Sequence, residues 1–207
     1  GLFDPSVILD AGGLPATYDV TQSPRLEAGY TWTKHSTAGS AEKLMIYASA
    51  LLANAKNSAN DKSVTPWGFA GGVQWGNAGG LELDASGFYQ SGVGSFLMFD
   101  DGLAVDNAGE MRTSFGYLLQ GLYQAKSSKW RFGASYGANH LDQTTADKNA
   151  IVSPPTLKDQ MSIAASATYL YTKSLRGVFE FTYGNGKGYN DSETKSSGVA
   201  LGLMLFF

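Results

Sequence analysis

The feature that most constrains this chain is an alternation with period two, held over segments longer than ordinary strands and different on their two faces. In LRGVFEFTYG (175–184), Leu175, Gly177, Phe179, Phe181 and Tyr183 fall on one side, and Arg176, Val178, Glu180 and Thr182 on the other. KWRFGASYGAN (129–139) sets Trp130, Phe132, Ala134, Tyr136 and Ala138 against Lys129, Arg131, Gly133, Ser135, Gly137 and Asn139. LELDASGFYQ (81–90) sets Leu81, Leu83, Ala85, Gly87 and Tyr89 against Glu82, Asp84, Ser86, Phe88 and Gln90. Each such strand needs an apolar medium on one side and water on the other.

Segments 25–33, 43–52, 67–75, 114–124, 161–172 and 198–207 read the same way more weakly, which makes nine in all. Their length, roughly 9–12 residues, exceeds the usual strand of about 5–6. It matches the roughly 9–11 residues with which a tilted strand crosses a bilayer. Aromatic residues gather near segment ends (Trp67, Trp75, Trp130, Tyr136, Tyr169, Tyr171), as interfacial girdles do. The predicted fold class is all-β, an antiparallel transmembrane β-barrel.

Composition agrees: 26 glycines, 13% aromatics and 6 prolines suit many strands and tight turns. No apolar run approaches the ~18 residues of a spanning helix. The absence of cysteine excludes disulfides, thiolate metal sites and cysteine nucleophiles. A net charge of −3 without a basic block leaves no footprint for nucleic acid.

Connections alternate in length. GNAG (76–79), KSS (126–128), KS (173–174) and HSTAGSA (35–41) are short and share one side, whereas 53–66, 91–113, 140–160 and 185–197 are long. Transmembrane barrels have short periplasmic turns and long outer loops. The last strand therefore runs inward from outside, and so does 25–33, which leaves 1–24 outside. Nine is odd where single-chain bacterial barrels are even. One reading expects further strands on the N-terminal side, so that 1–207 is the later part of a larger barrel. The other makes SVILDAG (6–12) a tenth strand that closes a small one. Segment 1–24 is either a plain outer loop or a constriction segment that brings Asp4, Asp10 and Asp19 to the solute path.

The polar face carries the candidate chemistry. Arg25, Glu27, Glu82, Asp84, Lys129, Arg131, Arg176 and Glu180 are expected to line a lumen, where charge sets selectivity. Their bland alternative is the wet face of an ordinary sheet. The loop 96–110 holds Asp100, Asp101, Asp106 and Glu110, oxygen donors suited to Ca²⁺ but without EF-hand spacing, so a solvated loop is preferred and no metal site is expected. His140 lies two residues from Asp142 and His35 falls in a turn. No GxSxG elbow occurs, and GNGKGYN (184–190) departs from the phosphate-loop pattern. Neither an enzyme nor a cofactor is expected.

From about residue 65 the chain resembles the C-terminal part of Gram-negative outer-membrane porins. TPWGFAGGVQW (65–75), ELDASGFYQSGVGS (82–95), MRTSFGYLLQGLYQ (111–124), KWRFGASYGANHLDQT (129–144), YLYTKSLRGVFEFTYG (169–184) and ALGLMLFF (200–207) carry the resemblance, in the porin order. FDPSVILDAGGLPATYD (3–19) is similar to a mid-barrel loop. Phe207, with Leu205, Leu203, Leu201 and Val199 at alternate positions before it, resembles the signal read by the barrel-assembly machinery. The resemblance implies a complete barrel of about sixteen strands, commonly a homotrimer, in contact with outer-membrane lipid. Its implied function is a water-filled channel for small hydrophilic solutes. A small plugged barrel with a structural or adhesive role is the second reading. A soluble β-sandwich binding module, with the aromatics as core and platform, is the third.

Overall fold

The computed structural model describes residues 2–3, 18–19, 25–35, 43–57, 63–93, 110–149 and 157–206. Nine long antiparallel strands follow one another: β3 (Arg25–His35), β4 (Lys43–Leu52), β7 (Trp67–Gly76), β8 (Leu81–Ser91), β9 (Thr113–Tyr123), β10 (Trp130–Leu141), β11 (Asp159–Leu170), β12 (Leu175–Lys187) and β13 (Glu193–Leu205). They form a single sheet in sequence order, with the short β1 (Leu2–Phe3) beside β3. The fragments β2 (Tyr18–Asp19), β5 (Ala55–Asn57) and β6 (Ser63–Val64) make a separate small sheet, and α1 (Thr145–Asn149) lies between β10 and β11. The extra strand expected over 6–12 lies outside the described residues.

Directly paired residues in an antiparallel sheet face the same way, so register sorts every side chain. One continuous row is Leu44, Trp75, Leu83, Gly121, Ala134, Ala165, Phe181 and Val199. A neighbouring row on the other face is Met45, Gln74, Asp84, Gln120, Ser135, Ala164, Thr182 and Gly198. The first face is apolar and uncovered: Leu201 is 81% exposed, and Phe69, Phe132 and Leu203 are also open. Among the described residues the buried apolar side chains are Val64, Pro66, Val93 and Leu141, and no second layer packs on the greasy face. That overturns the sandwich reading, which needs two inner faces in contact.

The aromatic rings run as two diagonals across the registered rows. At the long-loop end Trp67 touches Tyr89 and Tyr117 touches Tyr136, with centroids 5.7 and 5.9 Å apart. At the short-turn end Trp130, Tyr169 and Tyr171 pack in succession at steep angles, each 4.9 Å from the next. Tyr183 on β12 is in register, through Ile163, Tyr136, Leu119 and Ala85, with Val73 on β7, six residues from Trp67. A slip of six residues is about 20 Å at ~3.3 Å per residue, over five strand spacings of about 24 Å in total. The strands therefore tilt by about 40° from the normal to the belt, within the range of membrane barrels.

The connection 185–197 departs from expectation. It is not a long loop, because β12 and β13 continue through it as a ribbon and turn only over residues 188–192. Above Tyr183 the outward positions are Asn185, Lys187, Ser197, Lys195 and Glu193, so the ribbon rises beyond the apolar band without hydrophobic contrast. At the short end, Asn77 Oδ1 accepts from the Gly79 and Leu81 amides at 2.9 and 3.1 Å. Gly80 there has φ of 90°, and a Cβ on it would lie 1.8 Å from the Gln124 carbonyl oxygen.

On the polar face, aromatic side chains lie over glycines of the next strand. A Cβ at Gly72 would lie 2.5 Å from the Tyr47 hydroxyl, and one at Gly116 2.6 Å from the Phe88 ring. Tyr47 and Phe88 are the register partners of these glycines, the arrangement in which an aromatic ring shields glycine backbone.

The two faces predict opposite responses to one substitution. Phe179→Arg puts charge in the apolar band and should cost about 2–4 kcal/mol. Val178→Arg, one residue away on the polar face, should stay within about 0.5 kcal/mol, as for ordinary surface changes. Reversible denaturant unfolding in lipid vesicles reads both, and equal costs would contradict the assignment of faces.

Candidate functional site

The polar face of the arc is the candidate site. Glu27 lies on β3, Glu82 and Asp84 on β8, Arg131 on β10, and Arg176 and Glu180 on β12, all at alternation positions of that face. Lys129 directly precedes β10, and Arg25 stands opposite Phe3 at the start of β3. Arg131 Nη2 reaches across β9 to Glu82 Oε2 at 3.1 Å, an exposed pair worth about 0–1 kcal/mol. Arg176 sits 4.8 Å from the centre of the Phe206 ring, a cation–π distance. Lys43 Nζ donates to Gln74 Oε1 at 3.1 Å on the same face. Alternation in the weaker segments 43–52 and 67–75 puts both residues on this face, but their pairing depends on the β4–β7 register.

Between these charges the wall is cut back to small residues. A groove of about 650 Å³ runs along it, lined in part by Ser135, Ser162, Ala164, Glu180, Thr182 and Ser196. Hydroxyls and the Glu180 carboxylate over a floor of Ala and Gly give the groove hydrogen-bonding capacity.

The long-loop end is built differently. Alternation from Ser114 places Arg112 on the polar face, where it is 4% exposed. Its Nε and Nη2 donate to Asp147 Oδ2 and Oδ1 of α1, both at 2.7 Å, and Asp147 is 8% exposed. Thr144 caps the turn reciprocally: its amide donates to Asp147 Oδ2 at 3.2 Å, and its hydroxyl accepts from the Asp147 amide at 3.0 Å. The Thr145 amide donates to Glu110 Oε2 at 3.0 Å, and the Tyr189 hydroxyl donates to the Leu141 carbonyl. Burial pushes the Asp147 carboxyl up, but the hydrogen bond from Arg112, the Thr144 amide and the Arg112 charge outweigh it and hold it below the ordinary 3.8. Burial, with Asp142 and Asp147 nearby, pushes the Tyr189 hydroxyl up, so it stays a donor. Arg112 and Asp147 lie in two non-periodic linkers of the sequence, where nothing pointed to their pairing.

His140 lies on the apolar side, its ring 5.2 Å from that of Phe115. Its Nε2 meets Asp142 Oδ1 at 3.1 Å, and its Nδ1 meets Asp159 Oδ1 at 2.5 Å. Both ring nitrogens are thus engaged by carboxylates, and the group faces away from the polar groove. Lys187, within the glycine-rich 184–190, pairs with Asp191 at 3.0 Å. Of the acidic loop 96–110 only Glu110 is described; Asp100, Asp101 and Asp106 lie outside the described residues, as do Asp4, Asp10 and Phe207. Asp19 is placed by its backbone, in β2 opposite Lys56. Val199, Leu201, Leu203 and Leu205 form the outward edge of β13.

No protein-family model matches the sequence, and no curated protein does. Among solved structures, the outer membrane channel DcaP of Acinetobacter baumannii is similar, with a TM-score of 0.69 and 16% identity over 99% of this chain and 68% of the channel's. The two share a fold, that of the wall of an outer-membrane channel barrel.

The lowered Asp147 carboxyl fixes a pH response. A group depressed by folding contributes stability above its ordinary value and loses it as the pH falls through the lowered one. Hydrogen-exchange protection of the 142–149 amides, corrected for intrinsic rate, should stay level from neutral pH down to the ordinary 3.8 and fall only below it. Loss of protection between pH 7 and 5 would contradict the ion pair's role.

Proposed function

We propose that this chain forms the wall of a water-filled channel in the bacterial outer membrane, through which small hydrophilic solutes diffuse passively. One observation carries the reading: a polar, grooved face open to water stands opposite an uncovered apolar band bounded by two aromatic belts. A plugged structural barrel would fill that inner face with side chains, whereas over β10–β13 Gly, Ala, Ser and Thr keep much of it shallow. Arg25, Glu27, Glu82, Asp84, Lys129, Arg131, Arg176 and Glu180 are its lining charges, joined by Lys43. Outward residues meet lipid acyl chains, and the short turns face the periplasm. The likeness to an outer-membrane channel supports this function at the level of fold. Delivery by the barrel-assembly machinery through Val199, Leu201, Leu203, Leu205 and Phe207, and assembly as a homotrimer, belong to the same proposal.

The purified protein in planar bilayers should give discrete ion-conducting steps; their absence in well-reconstituted, heat-modifiable protein overturns the channel. Because lining charges of both signs alternate, wild-type selectivity should be weak. Arg131→Glu removes a cation, adds a carboxylate beside Glu82, and should move the reversal potential towards cation preference. An unchanged potential would remove Arg131 from the solute path.

A further inference from the structure

The outward face is hollowed in two places that meet. At the long-loop end, beyond the Tyr117–Tyr136 contact, lies a cleft of about 380 Å³ with Ala138 and Met161 between its walls. Phe115 and Tyr117 stand on its β9 side, and Asp159, Asn185 and Lys187 on its β11–β12 side. Nearer the middle of the apolar band a trough of about 660 Å³ opens, where Ala85, Gly121 and Ala134 are small between Leu83, Leu119 and Ile163. Tyr136 lines both hollows, so a polar cleft and an apolar trough join at the aromatic belt. We propose that together they bind one glycolipid of the outer leaflet, its sugar headgroup in the cleft and an acyl chain in the trough. The proposal rests on the channel reading for the side of the sheet that meets lipid and for which end is outside.

The cleft selects the headgroup. Asn185 faces outward beside Met161, and its side-chain oxygen is buried without a hydrogen-bond partner. A buried acceptor is costly until a donor reaches it, and a sugar hydroxyl is such a donor. Asp159 is held by His140, whose other ring nitrogen is held in turn by Asp142. The Asp159 side chain is still 44% exposed, so its carboxylate keeps capacity for further hydroxyls. Lys187, opposite Asp159 in register and tied to Asp191, is exposed to a similar degree and adds donors. Opposite charges side by side give no net pull on a bare anion. Acceptors and donors facing two aromatic rings instead match a sugar, which presents hydroxyls at its edge and C–H groups on its face. A zwitterionic phospholipid would answer the charges and leave Phe115 and Tyr117 uncovered. Below the belt, small residues let an acyl chain approach the backbone closely. A lipid elsewhere slides along the wall, whereas here the trough ends at an unsatisfied acceptor that holds one molecule in one place.

The experiment is native mass spectrometry of the purified protein released from vesicles of phosphatidylethanolamine and phosphatidylglycerol that contain a minor fraction of rough lipopolysaccharide. Wild-type protein should retain one lipopolysaccharide molecule per chain, enriched over its share of the bilayer. Asn185→Leu removes the acceptor and should weaken retention by about two- to tenfold, the worth of one hydrogen bond. Ala138→Trp fills the cleft and should abolish retention; if it fails to fold, Phe115→Ala, which removes a wall, should lower it instead. Phe69→Leu, on the same face outside both hollows, should leave it unchanged. Heat-modifiable migration confirms that each variant is folded, and planar-bilayer conductance is recorded in parallel. Retention of phospholipid and lipopolysaccharide in proportion to their abundance overturns the site, as does wild-type retention in the Asn185 and Ala138 variants. In a conducting protein those outcomes leave the channel reading standing. Selective retention with the expected variant pattern in a protein that does not conduct removes the channel and keeps the lipid site.

Discussion

Everything in this structure follows from one requirement: in hydrocarbon, a backbone amide or carbonyl without a partner costs several kcal/mol. Water satisfies such groups in a soluble protein, and lipid cannot. The answer is a ladder in which each long strand pairs with the next for nearly its whole length, ten to thirteen residues at a time. Once pairing is continuous, side chains are free to answer the two media separately, because successive residues point to opposite faces. Joining the edges of this arc, onto each other or through further strands, is the condition for its residence in a bilayer, since an open edge would repeat the same cost at every residue.

The belts show how position across the membrane is set independently of register. Hydrogen bonding fixes Val73 level with Tyr183 along the ladder. The aromatic rings ignore that level and follow the interface, slipping by about one residue per strand. Polar outward residues begin just beyond them, on the β12–β13 ribbon. The same strand therefore serves as a lipid-facing wall below Tyr183 and as a water-exposed stalk above it.

The parts of this arrangement readable from sequence are those in which neighbouring residues differ sharply. In 175–184 each step changes hydrophobicity, so strand, face and membrane length all appear. Past Gly184 the outward residues are Asn185 and Lys187 and the inward ones glycines. Both sides are then compatible with water, the contrast vanishes, and a paired ribbon looks like a loop. Contacts across strands are hidden for another reason. Glu82 and Arg131 share a face by parity, yet their meeting over β9 depends on registers that no local pattern encodes. Arg112 and Asp147 lie thirty-five residues apart in sequence, in segments without period. Their pairing arises only when two connections fold onto the same end of the sheet.

The rings lying over Gly72 and Gly116 bear on how far the polar face stands out from the sheet. A tyrosine and a phenylalanine on the wet side would ordinarily stand into the water and obstruct it. Here each reclines in a notch one carbon deep, cut by the glycine opposite. A methyl group at Gly72 would meet the Ala85 carbonyl oxygen at 2.7 Å as well as the Tyr47 ring, and one at Gly116 the Ala138 carbonyl oxygen at 2.8 Å as well as the Phe88 ring, so the smallest residues in the wall seat both the largest side chains and the neighbouring strand.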